Sequence, residues 1–204
     1  MLDIAKVLSH SFGLLTRHPV GIVWLLVQAL LVSIFTLGFL AGPMQVGIYT
    51  VLVRYARTGE WNPEALWGHT TGHNIVAGVV FVASVLAAFI VGLPTSVSNP
   101  WLASLLSYLG LAAINLLWFY TFQIMVDGDQ TWPQAIRKGW DLMQQGGLLN
   151  HLWLIAILES LILVSTLSTW IPLQTSMYLL LLGFSTLARA VAYVQLVPTR
   201  AFEP

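Results

Sequence analysis

The 204-residue sequence contains no cysteine, which excludes disulfides, thiolate metal sites and thiol catalysis together. Charge is almost as scarce. Eight Lys/Arg and eight Asp/Glu make up 8% of the chain, where a soluble domain carries roughly 25%. The two signs balance, so no basic footprint for nucleic acid exists. Catalytic signatures are missing as well: no Gly-x-Ser-x-Gly, P-loop, His-Glu-x-x-His or Rossmann pattern occurs. What remains is apolar, with 57% hydrophobic residues and a mean hydropathy of +0.81. Sixteen charges cannot keep such a chain in water, and a bilayer is the expected solvent.

A spanning helix needs about 20 mainly apolar residues to cover the roughly 30 Å hydrocarbon core. Four segments meet this plainly: Ile75–Leu93, Trp101–Val126, Leu149–Trp170 and Ser176–Val197. Val20–Val53 is too long for one span and short for two, and Gly42-Pro43 interrupts it. Lys6, Arg17, Arg54, Arg57, Arg137, Lys138 and Arg200 all fall in one set of connections, whereas Pro94–Pro100 and Ile171–Thr175 carry no charge. The positive-inside rule puts the charged set in the cytoplasm. Arg17 and Arg54 share a side only if Val20–Val53 goes out and returns, turning near Leu40–Pro43, with a second span of about 13 residues that tilt or re-entry would accommodate. The expected fold is an all-α polytopic bundle of about six spans, both termini cytoplasmic, in a bacterial inner membrane. Residues 1–18 lack the pattern of a cleavable signal and read as an amphipathic interfacial helix, with Ala5, Leu8, Phe12 and Leu15 at helical spacing and Asp3 as its cap.

The cytoplasmic connections resemble one another. Trp61-Asn62-Pro63-Glu64-Ala65-Leu66 is echoed by Trp132-Pro133-Gln134-Ala135-Ile136, both reading as proline-started helices, and Thr131 with Gln134 has capping-box spacing. Trp132, Ile136, Trp140 and Met143 form an apolar stripe onto which Leu8, Phe12 and Leu15 register. The chain therefore reads as one transmembrane domain, 1–204, in three same-orientation units: 1–60, 61–128 and 129–204. Each unit is an interfacial helix followed by a helical hairpin. The helix before Pro19, the Gly42-Pro43…Gly47…Tyr49…Arg54…Arg57…Gly59 run and the Trp/Pro-started helix at 132 carry a further likeness. The chain resembles the loosely related bacterial six-helix membrane proteins that include YciC-like proteins and the membrane domain accompanying some glycerophosphodiester phosphodiesterases. The resemblance implies this architecture and an association with lipid or envelope biology. No phosphodiesterase catalytic domain is present, so no enzymatic residue carries over.

Only Glu159 and Arg189 fall well inside spans, where an ionised side chain costs about 2.5–3.5 kcal/mol on insertion scales. Glu159 lies eleven residues before Trp170 and Arg189 thirteen after Ser176, which sets them within about 3 Å in depth. Pairing across the last hairpin is expected; proton or substrate coupling, a water-filled vestibule and a subunit contact are the alternatives. Asn115 and Gln123, with Gln28, Gln45 and Gln195, also fall in or near spans. They read either as interhelical packing glue or, sharper, as a polar path from Gln123 and Asn115 toward Glu159. His69 and His73 have i, i+4 spacing, but their glycine- and threonine-rich surroundings make a poor helix, and no metal or other cofactor is expected. His10, His18 and His151 fall at predicted interfaces, and Asp127-Gly128-Asp129 reads as a turn.

Trp61, Trp132, Trp140, Trp153 and Trp170 are expected as interfacial anchors. Trp118, deep in the fourth span, reads as core or as a lipid- or partner-facing residue. Ala77-Gly78, Ala83-Ser84, Ala87-Ala88 and Gly92 give the third span a close-packing face, marking it as a candidate central helix. Taken together, the residues point to a non-enzymatic membrane protein, an accessory, assembly or scaffold subunit that binds lipids or other membrane proteins. A small transporter or lipid-handling permease using Glu159 and Arg189 is the alternative.

Overall fold

A computed structural model of the chain describes residues 1–96, 99–128, 130–165 and 169–197, with the side chains at 89, 91–96, 100, 101, 103–105, 107 and 108 set aside. The described residues are all helix and turn, without a strand. Helix α1 (Ile4–Arg17) starts at Asp3, whose carboxylate accepts the Lys6 amide at 3.1 Å. It stops at His18 because a residue before proline is pushed out of the helical region. Pro19 then opens α2 (Pro19–Phe35) at 91° to α1.

The turn that follows corrects the expected one. It occupies 36–40, with Leu37 and Gly38 at positive φ, and α3 (Ala41–Thr58) begins before Pro43. Pro43 sits in the first helical turn, where its missing amide would have had no partner. The returning helix is therefore 18 residues long rather than 13. A single 3-10 turn (Pro63–Leu66) stands where the second interfacial helix was expected.

Next come α4 (Gly72–Ser96) and α5 (Pro100–Leu117). A tight turn at Trp118–Tyr120 separates α5 from α6 (Thr121–Gly128). Helix α7 (Trp132–Gly146) has the Thr131 amide donating to the Gln134 side chain at 3.3 Å. Gly147, at φ 94°, turns the chain by 103° into α8 (Leu148–Val164), and α9 (Ile171–Leu196) ends the described fold. Ile171–Thr175, read as a loop, forms the first turn of α9. Leu109–Gly128 and α9 are each long and apolar enough to cross a membrane; counting α1–α2 and α7–α8 as one bent span apiece makes four.

The centre of the bundle is α3, not α4. Helix α3 packs against α2, α4, α6 and α9 and is buried along most of its length. The small residues of α4 do permit close approach. Gly78 crosses Gly42 so tightly that a Cβ on either would run into the other's backbone, and one on Gly47 would meet the Leu66 carbonyl. Yet Val76, Val79 and Leu86 face outward, and α4 packs only against α3 and α5 to any extent, with Ala88 facing Gly110, which leaves it at the periphery. Helix α1 packs against α9 and buries Val7, Ser11, Leu14 and Leu15. Of the expected stripe only Leu15 is buried, whereas Ala5 and Phe12 are exposed. The N-terminus is strapped down by Leu2 N to Gly146 O (2.8 Å), Asn150 Nδ2 to Leu2 O (3.0 Å) and Asp3 N to Gln195 Oε1 (3.2 Å).

Candidate functional site

Helices α5, α8 and α9 bring together the polar residues singled out from the sequence. Arg189 Nη2 lies 3.3 Å from Glu159 Oε1, and Arg189 Nη1 donates to Asn115 Oδ1 at 3.2 Å. Asn115 Nδ2 closes the triangle on Glu159 Oε1 at 3.1 Å. The amide thus donates to the carboxylate and accepts from the guanidinium, which suits it to neutralise neither and orient both. The guanidinium also lies 5.4 Å from the centroid of the Phe119 ring. The Glu159 and Arg189 side chains keep 24% and 16% exposure.

A second ion pair is more deeply buried, at 8% and 5%, and was not anticipated. Arg57, at the end of α3, donates Nη1 to Asp127 Oδ1 at 2.8 Å and Nη2 to Oδ2, with a further bond to the Val197 carbonyl at 3.2 Å. The Tyr193 hydroxyl donates to Asp127 Oδ2 at 2.9 Å. Reading both residues as edge markers missed the pair. The available signal was that an acid ending one span and a base ending another were assigned to the same membrane face. Asp127 is thus a bridge between helices and not simply part of a turn; Asp129 lies outside the described residues.

His151 is wholly buried within the protein. Its Nδ1 faces the Gly147 carbonyl at 2.9 Å and its Nε2 the Tyr120 hydroxyl at 2.8 Å. A carbonyl only accepts, so Nδ1 carries the proton and Nε2 accepts from Tyr120. His69 stands outside α4, its Nε2 against the Ala65 carbonyl at 2.9 Å, so it shares no helix face with His73. No three of His, Asp and Glu gather among the described residues as a metal site requires.

The tryptophans divide. Trp153 and Trp170 are exposed. Trp61, partly buried, stacks on His18 at 5.4 Å, Trp132 stacks on Trp118 at 6.2 Å, and Trp140 packs against the core. Trp118 is buried within a ring cluster with Phe81 and Phe122, so it is core. Trp24, on α2, and Trp67 are further exposed indoles. Comparison with protein families, with curated proteins and with solved structures gives no match to this chain.

Proposed function

We propose that this chain is a non-enzymatic integral membrane protein, an accessory, assembly or scaffold subunit whose partners are lipids and other membrane proteins. In this reading α2–α3, α4–α5/α6 and α8–α9 are three hairpins giving six spans, with both termini on the cytoplasmic face of a bacterial inner membrane. Helices α1 and α7 lie in the interface, which their right-angle bends into α2 and α8 support. Helices α2 and α3, at 17 and 18 residues, each reach about 25 Å and cross with local thinning of the bilayer. The three units 1–60, 61–128 and 129–204 remain our division of the chain, and the likeness to YciC-like proteins our placement of it.

The observation that carries the reading is that Glu159, Arg189, Arg57 and Asp127 are each partnered inside the chain. Ions engaged in this way hold helices together. Outward-facing Trp24, Ile34, Phe35, Leu86, Trp153 and Leu163 supply the apolar surface that lipid or a partner would cover. A transporter remains the second reading, favoured by the residual exposure of Glu159 and Arg189.

Reciprocal charge reversal separates the two. Glu159→Arg and Arg189→Glu alone should each lower expression and melting temperature, and the double variant should recover both. Single variants that fold normally but lose a transport or growth phenotype would favour the permease. Purification in mild detergent should yield the chain with other subunits or phospholipid bound.

A further inference from the structure

Helix α9 packs against both α1 and α3, and residues of all three line a cavity of about 300 Å³. Ala56 and Val194 place it toward the C-terminal ends of α3 and α9. Lys6 and His10 line it too, both exposed, and their i, i+4 spacing on α1 sets them on one helix face. Gln195 is the third polar member. Its Oε1 accepts the Asp3 amide at 3.2 Å, which makes the other end of its side chain the donor. The rest of the wall is aliphatic, with Ala56, Val191 and Val194 contributing. Among the described residues no carboxylate lines the cavity. The nearby Asp3 carboxylate is turned to the Lys6 backbone amide.

This lining selects by charge and by polarity at once. The Lys6 ammonium, a ring N–H that His10 carries in either protonation state and the Gln195 amide are all donors. With no acid opposite them, they suit an anion. A small soluble anion would engage the donors and leave the aliphatic wall uncovered. A wholly apolar molecule would cover the wall and make no use of the ammonium. A zwitterionic head would bring a cation that finds no carboxylate. An anionic amphiphile meets every condition, and a bilayer supplies one. We propose, on the membrane reading above in which α1 lies in the interface, that the cavity between α1, α3 and α9 binds one anionic phospholipid. Its phosphate lies against Lys6, His10 and Gln195, and its acyl chain starts along Ala56, Val191 and Val194. The bound lipid fixes α1 to the bundle beyond its own packing on α9.

Native mass spectrometry of the intact chain, released from nanodiscs of equal parts phosphatidylglycerol and phosphatidylethanolamine, tests this. One phosphatidylglycerol should stay bound, about fivefold in preference to phosphatidylethanolamine, the factor one basic residue contributes beside an anionic surface. Equal retention of the two lipids would overturn the site and leave the membrane reading standing. A chain that takes up neither lipid and stays dissolved without detergent would overturn both. Lys6→Gln combined with His10→Gln alters two exposed side chains and should abolish the preference. Arg17→Gln removes a charge from the same helix outside the cavity lining and should preserve it. Equal losses in the two variants would mean diffuse attraction to the membrane surface and would refute the site. Inorganic phosphate at millimolar concentration should not displace the lipid; displacement would make a soluble anion the ligand and overturn the proposal. Should the double variant not fold, Lys6→Gln alone carries the test, with the preference again expected to disappear.

Discussion

Arg57 and Asp127, 70 positions apart, form a two-bond pair in which neither side chain exceeds 8% exposure. The pair joins the end of α3 to the end of α6, and the Tyr193 hydroxyl and Val197 carbonyl extend it to α9. It pins α3, α6 and α9 at one end of the bundle, as Glu159, Asn115 and Arg189 pin α8, α5 and the same α9 along their length. Breaking a buried pair by removing one partner strands the other charge, at a cost of about 3–5 kcal/mol. Asp127→Ala and Arg57→Ala should each lower the unfolding midpoint by that order. Asp127→Leu combined with Arg57→Met should lose markedly less, because no charge is left alone. Thermal unfolding in detergent checks the order of the four proteins.

The crossing of Gly42 with Gly78 should tolerate no side chain. Alanine at either position meets backbone and not a flexible side-chain tip, so α3 and α4 must separate. The cost should reach or exceed the roughly 1–3 kcal/mol of ordinary overpacking. Gly13 is the control: it lies in α1 with nothing within 4 Å of a Cβ. Gly13→Ala should therefore stabilise, by up to about 1 kcal/mol. Melting temperatures that move together in all three variants would contradict the crossing.

Leu37 adopts φ 52° in the turn between α2 and α3 and is 88% exposed. A leucine pays roughly 1–2 kcal/mol for that left-handed backbone, and its side chain recovers little by packing. Leu37→Asn, which tolerates the conformation better, should raise stability by about 0.5–1 kcal/mol. A topology reporter inserted between Leu37 and Gly38 should report the face opposite to both termini. A cytoplasmic signal there would refute the first hairpin.

Tyr120→Phe deletes the hydroxyl facing His151 Nε2 and leaves a buried acceptor unpaired, at about 1–3 kcal/mol. The combined Tyr120→Phe and His151→Leu variant removes both groups and should cost less than the sum of the two single changes. Equilibrium unfolding of the cycle measures the difference.

Local and periodic features were legible in the sequence. Apolar composition dictated helices, some long and apolar enough to cross a membrane, and Asp3 and Thr131–Gln134 marked helix starts that the structure retains. Pro19 placed the corner at His18. All of these act within about one helical turn, so neighbours in sequence decide them. Pro43 misled because proline both breaks helices and begins them, and only the turn at 36–40 shows which it does here.

Tertiary structure alone decided the rest. Depth counting set Glu159 level with Arg189, but it could not bring Asn115 to the same face or make α3 the centre. It also left Arg57 and Asp127 apart and gave His151 no partner. Each of those outcomes depends on which helix faces which, and that is set by packing: Gly42 against Gly78, and α9 against α1 and α3. A charge near the end of a span is compatible with water or with a buried partner. The choice belongs to the helix that packs beside it, and the periodicity of a single helix carries no record of its neighbour.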